Sequence, residues 1–303
     1  MMARFIPFIF VLLWSTGFIG ARFGLPYAEP ATFLLIRMLA NIAIFAVLTL
    51  VLKSQLPKGT AFFHCLVTGM LIHGFYLGGT YYAIYLGMPA GLCALLVGLQ
   101  PIVTAVLLLG QERLAWSQWL GLLLGMLGIA LVLQGNMSWQ DETHQAAAFG
   151  FAGLALLGIT LGTLYQKRFC RQVDLVGGSV VQYMMAAAVF MPVMLTAETM
   201  MVTWNLTFTL TLTWLVLGVS VTAIWLLLYM VRHGEASKVA STFYLVPPVT
   251  ALEAWLAFNE TFDAFSAIGF AIAAVAVFLV MRKPGQPVFR KKAQVDSQAS
   301  STI

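Results

Sequence analysis

Long apolar runs, each ended by a short cluster of Gly, Pro or charged residues, recur along the whole chain. Ten stand out, over 5–23, 32–52, 61–86, 90–110, 115–134, 147–166, 175–196, 210–231, 236–258 and 264–281. A helix needs about 20 apolar residues to cross a hydrocarbon core about 30 Å thick, and each run is near that length. The connectors are short. Gly87-Met88-Pro89 separates the third and fourth runs, and Gln111-Glu112-Arg113 the fourth and fifth. The longest connectors are 135–146 and 197–209, and a polar, basic tail over 283–303 reads as disordered. The pattern predicts an all-α integral membrane protein with ten transmembrane helices.

Composition removes the alternatives. Of 303 residues, 61% are hydrophobic and 9% charged. Soluble domains run nearer half apolar and about a quarter charged, so this chain cannot clothe a water-facing surface. A soluble enzyme, a nucleic-acid binder and a disulfide scaffold are excluded on that ground. Cys65, Cys93 and Cys170 are widely spaced and fit neither a disulfide framework nor a zinc site. The opening Met1–Arg4 and the apolar run after it continue through Trp14-Ser15-Thr16-Gly17-Phe18 without a small-residue cleavage site, so the first run is expected to stay as a span.

The net charge of +5 matters through its placement. With the N-terminus inside, the inner connectors and tail collect fourteen of the sixteen Lys and Arg. Arg22 alone falls outside, and Arg37 falls within the second run. Positively charged loops stay cytoplasmic. The expectation is therefore that both termini are cytoplasmic, in the cell's inner or plasma membrane.

The two halves match at an offset of 146. Ala90 and Ala94 meet Ala236 and Ala240, Pro101 meets Pro247, and Val103-Thr104-Ala105 meets Val249-Thr250-Ala251. After a two-residue slip Glu112 meets Glu260 and Gly121 meets Gly269. Each half then holds five runs, over 1–140 and 141–282. An odd number of spans forces the second copy to enter from the opposite side, which makes the pair inverted-topology repeats. Such repeats are common in secondary transporters.

Several motifs follow one another in order along the two halves. They are Trp14-Ser15-Thr16-Gly17-Phe18, Gln100-Pro101, Gln111-Glu112-Arg113-Leu114, Trp119-Leu120-Gly121 and Gly128-Ile129-Ala130-Leu131-Val132-Leu133, then Val246-Pro247-Pro248 and Asn259-Glu260-Thr261-Phe262. Over about residues 5–281 the chain resembles the paired EamA domains of the drug/metabolite transporter superfamily. It departs in having Gln111-Glu112 and Asn259-Glu260 where Gly-Glu is usual. The resemblance implies a ten-helix carrier of small metabolites, often an exporter, that uses no ATP. It also implies a cavity lined mainly by spans 1, 3, 4, 6, 8 and 9.

The residues themselves suggest where chemistry sits. Charges inside spans are functional candidates by default, which singles out Arg37 and Glu253. Arg37 suits a carboxylate, and Glu253 an amine or a coupling proton. A structural pair, or an Arg37 that snorkels outward, is the plainer alternative. His73 stands in mid-span with Tyr76 and Thr80 on its helical face. It is either a proton-coupling group or a neutral, hydrogen-bonded histidine. Gln100-Pro101 and Pro247-Pro248 occupy matching mid-span positions, where proline frees backbone carbonyls. They mark hinges beside a cavity, or kinks made for packing. Trp14, Tyr165, Trp225, Tyr229 and Tyr244 join Tyr76 as aromatic candidates for a solute site, with interface belts as the alternative. Gly158 and Gly162 allow close helix contact.

No Walker loop, zinc-protease motif or nucleophile elbow is present in the sequence, so neither an enzyme nor a metal or cofactor site is expected. The expected partners are a small-molecule substrate and membrane lipids, with proton coupling and no nucleic acid; a monomer and a homodimer both fit. A secondary transporter, in the exporting direction, of small organic metabolites such as amino acids is the leading reading. A non-transporting membrane component, such as a lipid flippase subunit or assembly factor, is the rival.

Overall fold

A computed structural model describes residues 6–107, 116–135, 142–222, 225–226, 245–258 and 263–281. The main helices are α1 (Ile6–Gly24), α2 (Pro30–Val51), α3 (Thr60–Tyr85), α4 (Ala90–Leu107) and α5 (Trp116–Gly135). They continue as α6 (Glu142–Phe169), α7 (Leu175–Ala197), α8 (Leu206–Thr222), α9 (Val246–Phe258) and α10 (Ala264–Met281). Of these, α2, α3, α4, α7 and most of α6 are long and apolar enough to cross a bilayer, and the others are shorter apolar helices.

Local chemistry sets the helix starts. Pro30 opens α2, where its missing N–H costs nothing and its fixed φ suits the first turn. The Asp174 carboxylate accepts from the Val176 and Gly177 N–H groups at 2.9 and 3.0 Å and caps α7. The Asn205 side-chain Oδ1 accepts from Phe208 N–H at 2.8 Å and starts α8 at Leu206. That start lies ahead of the apolar run at 210, because alternating threonines hide the first turns from hydropathy. Helix α6 likewise outruns 147–166, with polar Glu142 to Gln145 wound into its first turn. The expected ninth span began at 236; its first part lies outside the described residues.

Two features are invisible to hydropathy. Within α3 the segment Met70–Tyr76 is π-helical, and within α8 so is Trp214–Thr222. In the 146-residue register Met70 and Tyr76 correspond to Val216 and Thr222, so the two segments coincide. Helix α4 is interrupted at Gly98-Leu99, directly ahead of Gln100-Pro101.

The packing is inside-out relative to a water-soluble protein. Leu50, Leu123, Met126 and Leu256 are among many large apolar side chains on the outside. Ser15, Arg37, Asn41, Thr68, Gln182 and Ser220 are buried within. An outer surface this apolar suits lipid and not water; the protein is an integral membrane protein.

Helix contacts come in matched sets. Helix α2 packs on α7, α4 on α9 and α5 on α10. The α3–α6 contact has its counterpart in α8–α1, α3–α7 in α8–α2, and α1–α9 in α6–α4. Exchanging the first five helices for the last five maps each of these contacts onto another of them or onto itself. Glycine permits the closest approaches, as small residues do between membrane helices. A Cβ on Gly128 of α5 would stand 2.9 Å from both Ala273 N and Gly269 O of α10. One on Gly158 of α6 would stand 2.8 Å from Leu71 O and Tyr76 N in the π-helical part of α3.

A carboxylate clasp joins the helix ends where α2 and α8 begin and α3 and α7 finish. The Glu198 carboxylate accepts from Ala31 N–H at 2.7 Å and from Thr32 N–H and hydroxyl, both at 2.8 Å. It also accepts from the Tyr82 hydroxyl at 2.6 Å. In return Glu29 accepts from Thr199 N–H and hydroxyl, both at 2.6 Å. Glu198 thus caps α2 in trans, with its charge at the positive end of the helix dipole. The Ala28–Val202 bridge and the bond from Thr203 N–H to Tyr27 O at 2.8 Å extend the seam.

Three substitutions test these contacts by thermal unfolding in detergent. Gly128→Ala is expected to destabilise by about 1–3 kcal/mol, the usual range for overpacking, because backbone on the facing helix cannot yield. Gly150→Ala, with nothing within 4 Å of its Cβ position, is expected to leave the midpoint unchanged or slightly raised. Glu198→Ala is expected to cost about 0.5–2 kcal/mol, the range for losing a helix cap. An unaltered Glu198→Ala midpoint would show that the clasp does not hold the helix ends.

Candidate functional site

Arg37 is 4% exposed, on the inward face of α2. Its NH1 donates to the Tyr81 hydroxyl at 3.0 Å, and its NH2 to Ser220 Oγ at 3.3 Å and Leu215 O at 3.4 Å. That carbonyl is available because α8 is π-helical there. The wider turn lets Ser220 Oγ reach back five residues to the same oxygen at 3.1 Å and leaves room for the guanidinium. The Nε donor is buried without a partner, as are both amide atoms of Asn41 one turn further along. All three acceptors around Arg37 are neutral.

Arg37 borders a cavity of about 180 Å³ between the two halves. Trp14, Gly17 and Phe18 of α1 form one wall. His73, Tyr76, Thr80 and Tyr81 of α3 form a second, and Ser179, Gln182 and Tyr183 of α7 a third. Val219 and Ser220 close it from α8, and Gln166 and Leu175 border it at the junction of α6 and α7. That junction lies at the opposite ends of the helices from the Glu198 clasp. His73 sits in the π-helical part of α3, with its ring 4.5 Å from that of Tyr183. A π-helical turn in mid-helix frequently marks a functional site.

Trp14, Arg37, His73 and Tyr76 are thus brought together, and Gln100, Tyr165 and Glu253 are not. Gln100 Nε2 donates to Thr163 Oγ1 of α6 at 2.8 Å, outside the cavity lining. The Tyr165 hydroxyl meets His64 Nδ1 at 2.8 Å in an aromatic cluster with Phe169. Glu253 Oε1 accepts from Ser15 Oγ at 2.8 Å, and its Oε2 is buried without a partner. Arg37 and Glu253 therefore hold separate partners, and Arg37 is buried in the bundle, not snorkelling. Trp225 is helical and half exposed; Tyr229 and Tyr244 lie outside the described residues. Pro247 sits against Gly98, where a Cβ would come within 2.7 Å of its Cγ. The interruption in α4 and the proline start of α9 therefore meet.

The lining differs from the expected set of helices. Helices α2 and α7 contribute, whereas α4 and the described part of α9 do not. The physical reason is that α4 and α9 pack on one another at Gly98 and Pro247. Tyr81, Gln182, Tyr183 and Ser220 were not singled out from the sequence. One signal pointed to Tyr183: in the 146-residue register it is the counterpart of Arg37.

A family model described as the EamA-like transporter family matches residues 2–134 and again 147–282. The chain is 27% identical over 277 residues to Uncharacterized transporter YdfC of Bacillus subtilis (strain 168), covering 85% of this chain and 83% of that protein. It is 27% identical over 295 residues to Uncharacterized transporter YvbV of the same organism, covering 90% and 89%. It is 23% identical over 278 residues to Uncharacterized inner membrane transporter YedA of Escherichia coli (strain K12), covering 90% and 88%. One solved crystal structure shares the fold, with a TM-score of 0.62 over 92% of this chain and 96% of that one at 18% identity. Two matched repeats, together spanning nearly all of an apolar helical chain, make this protein a member of the EamA-like transporter family, a membrane transporter of the drug/metabolite type.

Proposed function

We propose that the protein is a secondary carrier of small organic solutes in the inner membrane, working by alternating access. The observation that carries this reading is the cavity around Arg37, which draws its walls from both halves of the chain. Its architecture is ten spans in two inverted five-helix repeats, 1–140 and 141–282, with both termini cytoplasmic. The matched helix contacts support the repeats, and the skew of Lys and Arg supports the orientation. The name of the Escherichia coli relative supports the inner membrane. Export is the direction that the family resemblance favours.

The clasp and the cavity support the mechanism together. In the proposed orientation Glu198, Glu29 and Tyr82 close the outer end, and the cavity extends toward the cytoplasmic junction of α6 and α7. Outward opening then requires the Glu198 bonds to part while the halves rock around the solute. Gly98 and Pro247 lie where the two halves touch and, with Pro101 and Pro248, serve as the hinge. Glu253 is the proton-coupling group, since it has a single protein partner and one free oxygen within the bundle. His73 faces the solute and is its second candidate.

Counterflow in proteoliposomes tests this. A panel of organic acids, amino acids and organic cations is loaded, with and without a proton gradient. Exchange of at least one solute, accelerated by the gradient, is the expected result. Glu253→Gln is expected to keep exchange and lose at least tenfold of the gradient's effect. Failure of every solute in well-folded protein would favour a non-transporting lipid-handling or assembly role. An undiminished gradient response in Glu253→Gln would remove that residue from coupling.

A further inference from the structure

We infer that the cavity binds a carboxylate carried on a single aromatic ring, with the carboxylate at Arg37 and the ring between Trp14, Tyr76 and Tyr183. This deepens the carrier reading by naming its substrate class, and it disfavours zwitterionic amino acids.

The charge argument comes first. Arg37 is a guanidinium side chain, and it is buried. Its three acceptors, the Tyr81 hydroxyl, the Leu215 carbonyl and Ser220 Oγ, are neutral. Among the described residues the cavity lining includes no Asp or Glu. Glu253, a carboxylate in the middle of a described helix, holds Ser15 instead. A buried cation whose described partners are all neutral is costly and calls for an anion. The guanidinium also keeps an unused donor at Nε, and a planar fork of donors matches a carboxylate well.

Size and shape come next. A protein cavity of about 150 Å³ accommodates benzene, so about 180 Å³ has room for one ring and a carboxylate. Trp14, Phe18, Tyr76 and Tyr183 offer faces and edges for ring packing. An ammonium finds no carboxylate among the described lining residues, so an amino acid would leave its amine uncompensated there. An inorganic anion would satisfy Arg37 and leave the aromatic walls unfilled.

Isothermal titration of the full-length protein in detergent separates these cases. Benzoate and phenylacetate are expected to bind. Benzyl alcohol, acetate, chloride and phenylalanine are each expected to bind at least tenfold more weakly. Arg37→Gln is expected to lose at least tenfold in benzoate affinity, and Arg37→Lys to retain part of it. Trp14→Ala is expected to weaken benzoate and leave acetate unchanged. Benzyl alcohol, acetate, chloride or phenylalanine binding as tightly as benzoate would overturn the inference on the natural protein alone. So would an Arg37→Gln variant that binds benzoate normally. Binding without counterflow would instead count against the carrier reading, and counterflow of other solutes without benzoate binding would count against this substrate class alone.

Discussion

A bilayer offers the backbone no water to bond, so every N–H and C=O inside it must find a partner within the protein. That constraint governs this fold. It accounts for helices in the described parts of the apolar runs, and it limits where a helix can depart from regularity. The departures fall inside the bundle. The π-helical turn of α8 is answered by Arg37 and Ser220 at the Leu215 carbonyl, and that of α3 lies against Gly158 and Gly162. The interruption of α4 is covered by Pro247. Irregular backbone is thus confined to places where side chains, a cavity or close packing compensate it.

The same economy ties the site to the scaffold. Arg37 holds two elements of different halves at once, through Tyr81 on α3 and Leu215 and Ser220 on α8. The residue that faces the cavity is therefore also a fastening between the two halves. In the carrier proposed above, a solute that drew the guanidinium toward itself would loosen that fastening, which gives a direct route from binding to rearrangement. Glu198 has the complementary role at the far end, where one carboxylate gathers α2, α3 and α7.

Much of this was legible in the sequence, for a simple reason: in a lipid-facing chain every polar residue within a span is conspicuous. Arg37, His73, Trp14 and Tyr76 stand out against Leu, Ala and Val, and they meet at the cavity. Gln100-Pro101 marks the interruption of α4. Other features were hidden. Gln100 and Tyr165 look like site residues and instead bond to Thr163 and His64, because hydropathy gives depth but not the direction a helix faces. Tyr81 and Tyr183 resemble interface tyrosines until the fold places them beside Arg37. The Glu198 clasp joins residues more than a hundred positions apart, and no local spacing encodes it.

The π-helical segments bear on the history of the chain. Each such turn accommodates an additional residue without ending its helix. Had one half gained that residue alone, the register between the halves would shift across the segment. It does not: Ala21 and Lys167 correspond at the same interval as Ala90 and Ala236, on either side of it. Equal intervals on either side are what two copies of one five-helix unit, each carrying the wider turn, would show. The two wider turns now hold different groups: His73, which lines the cavity, in one, and the Leu215 carbonyl that holds Arg37 in the other.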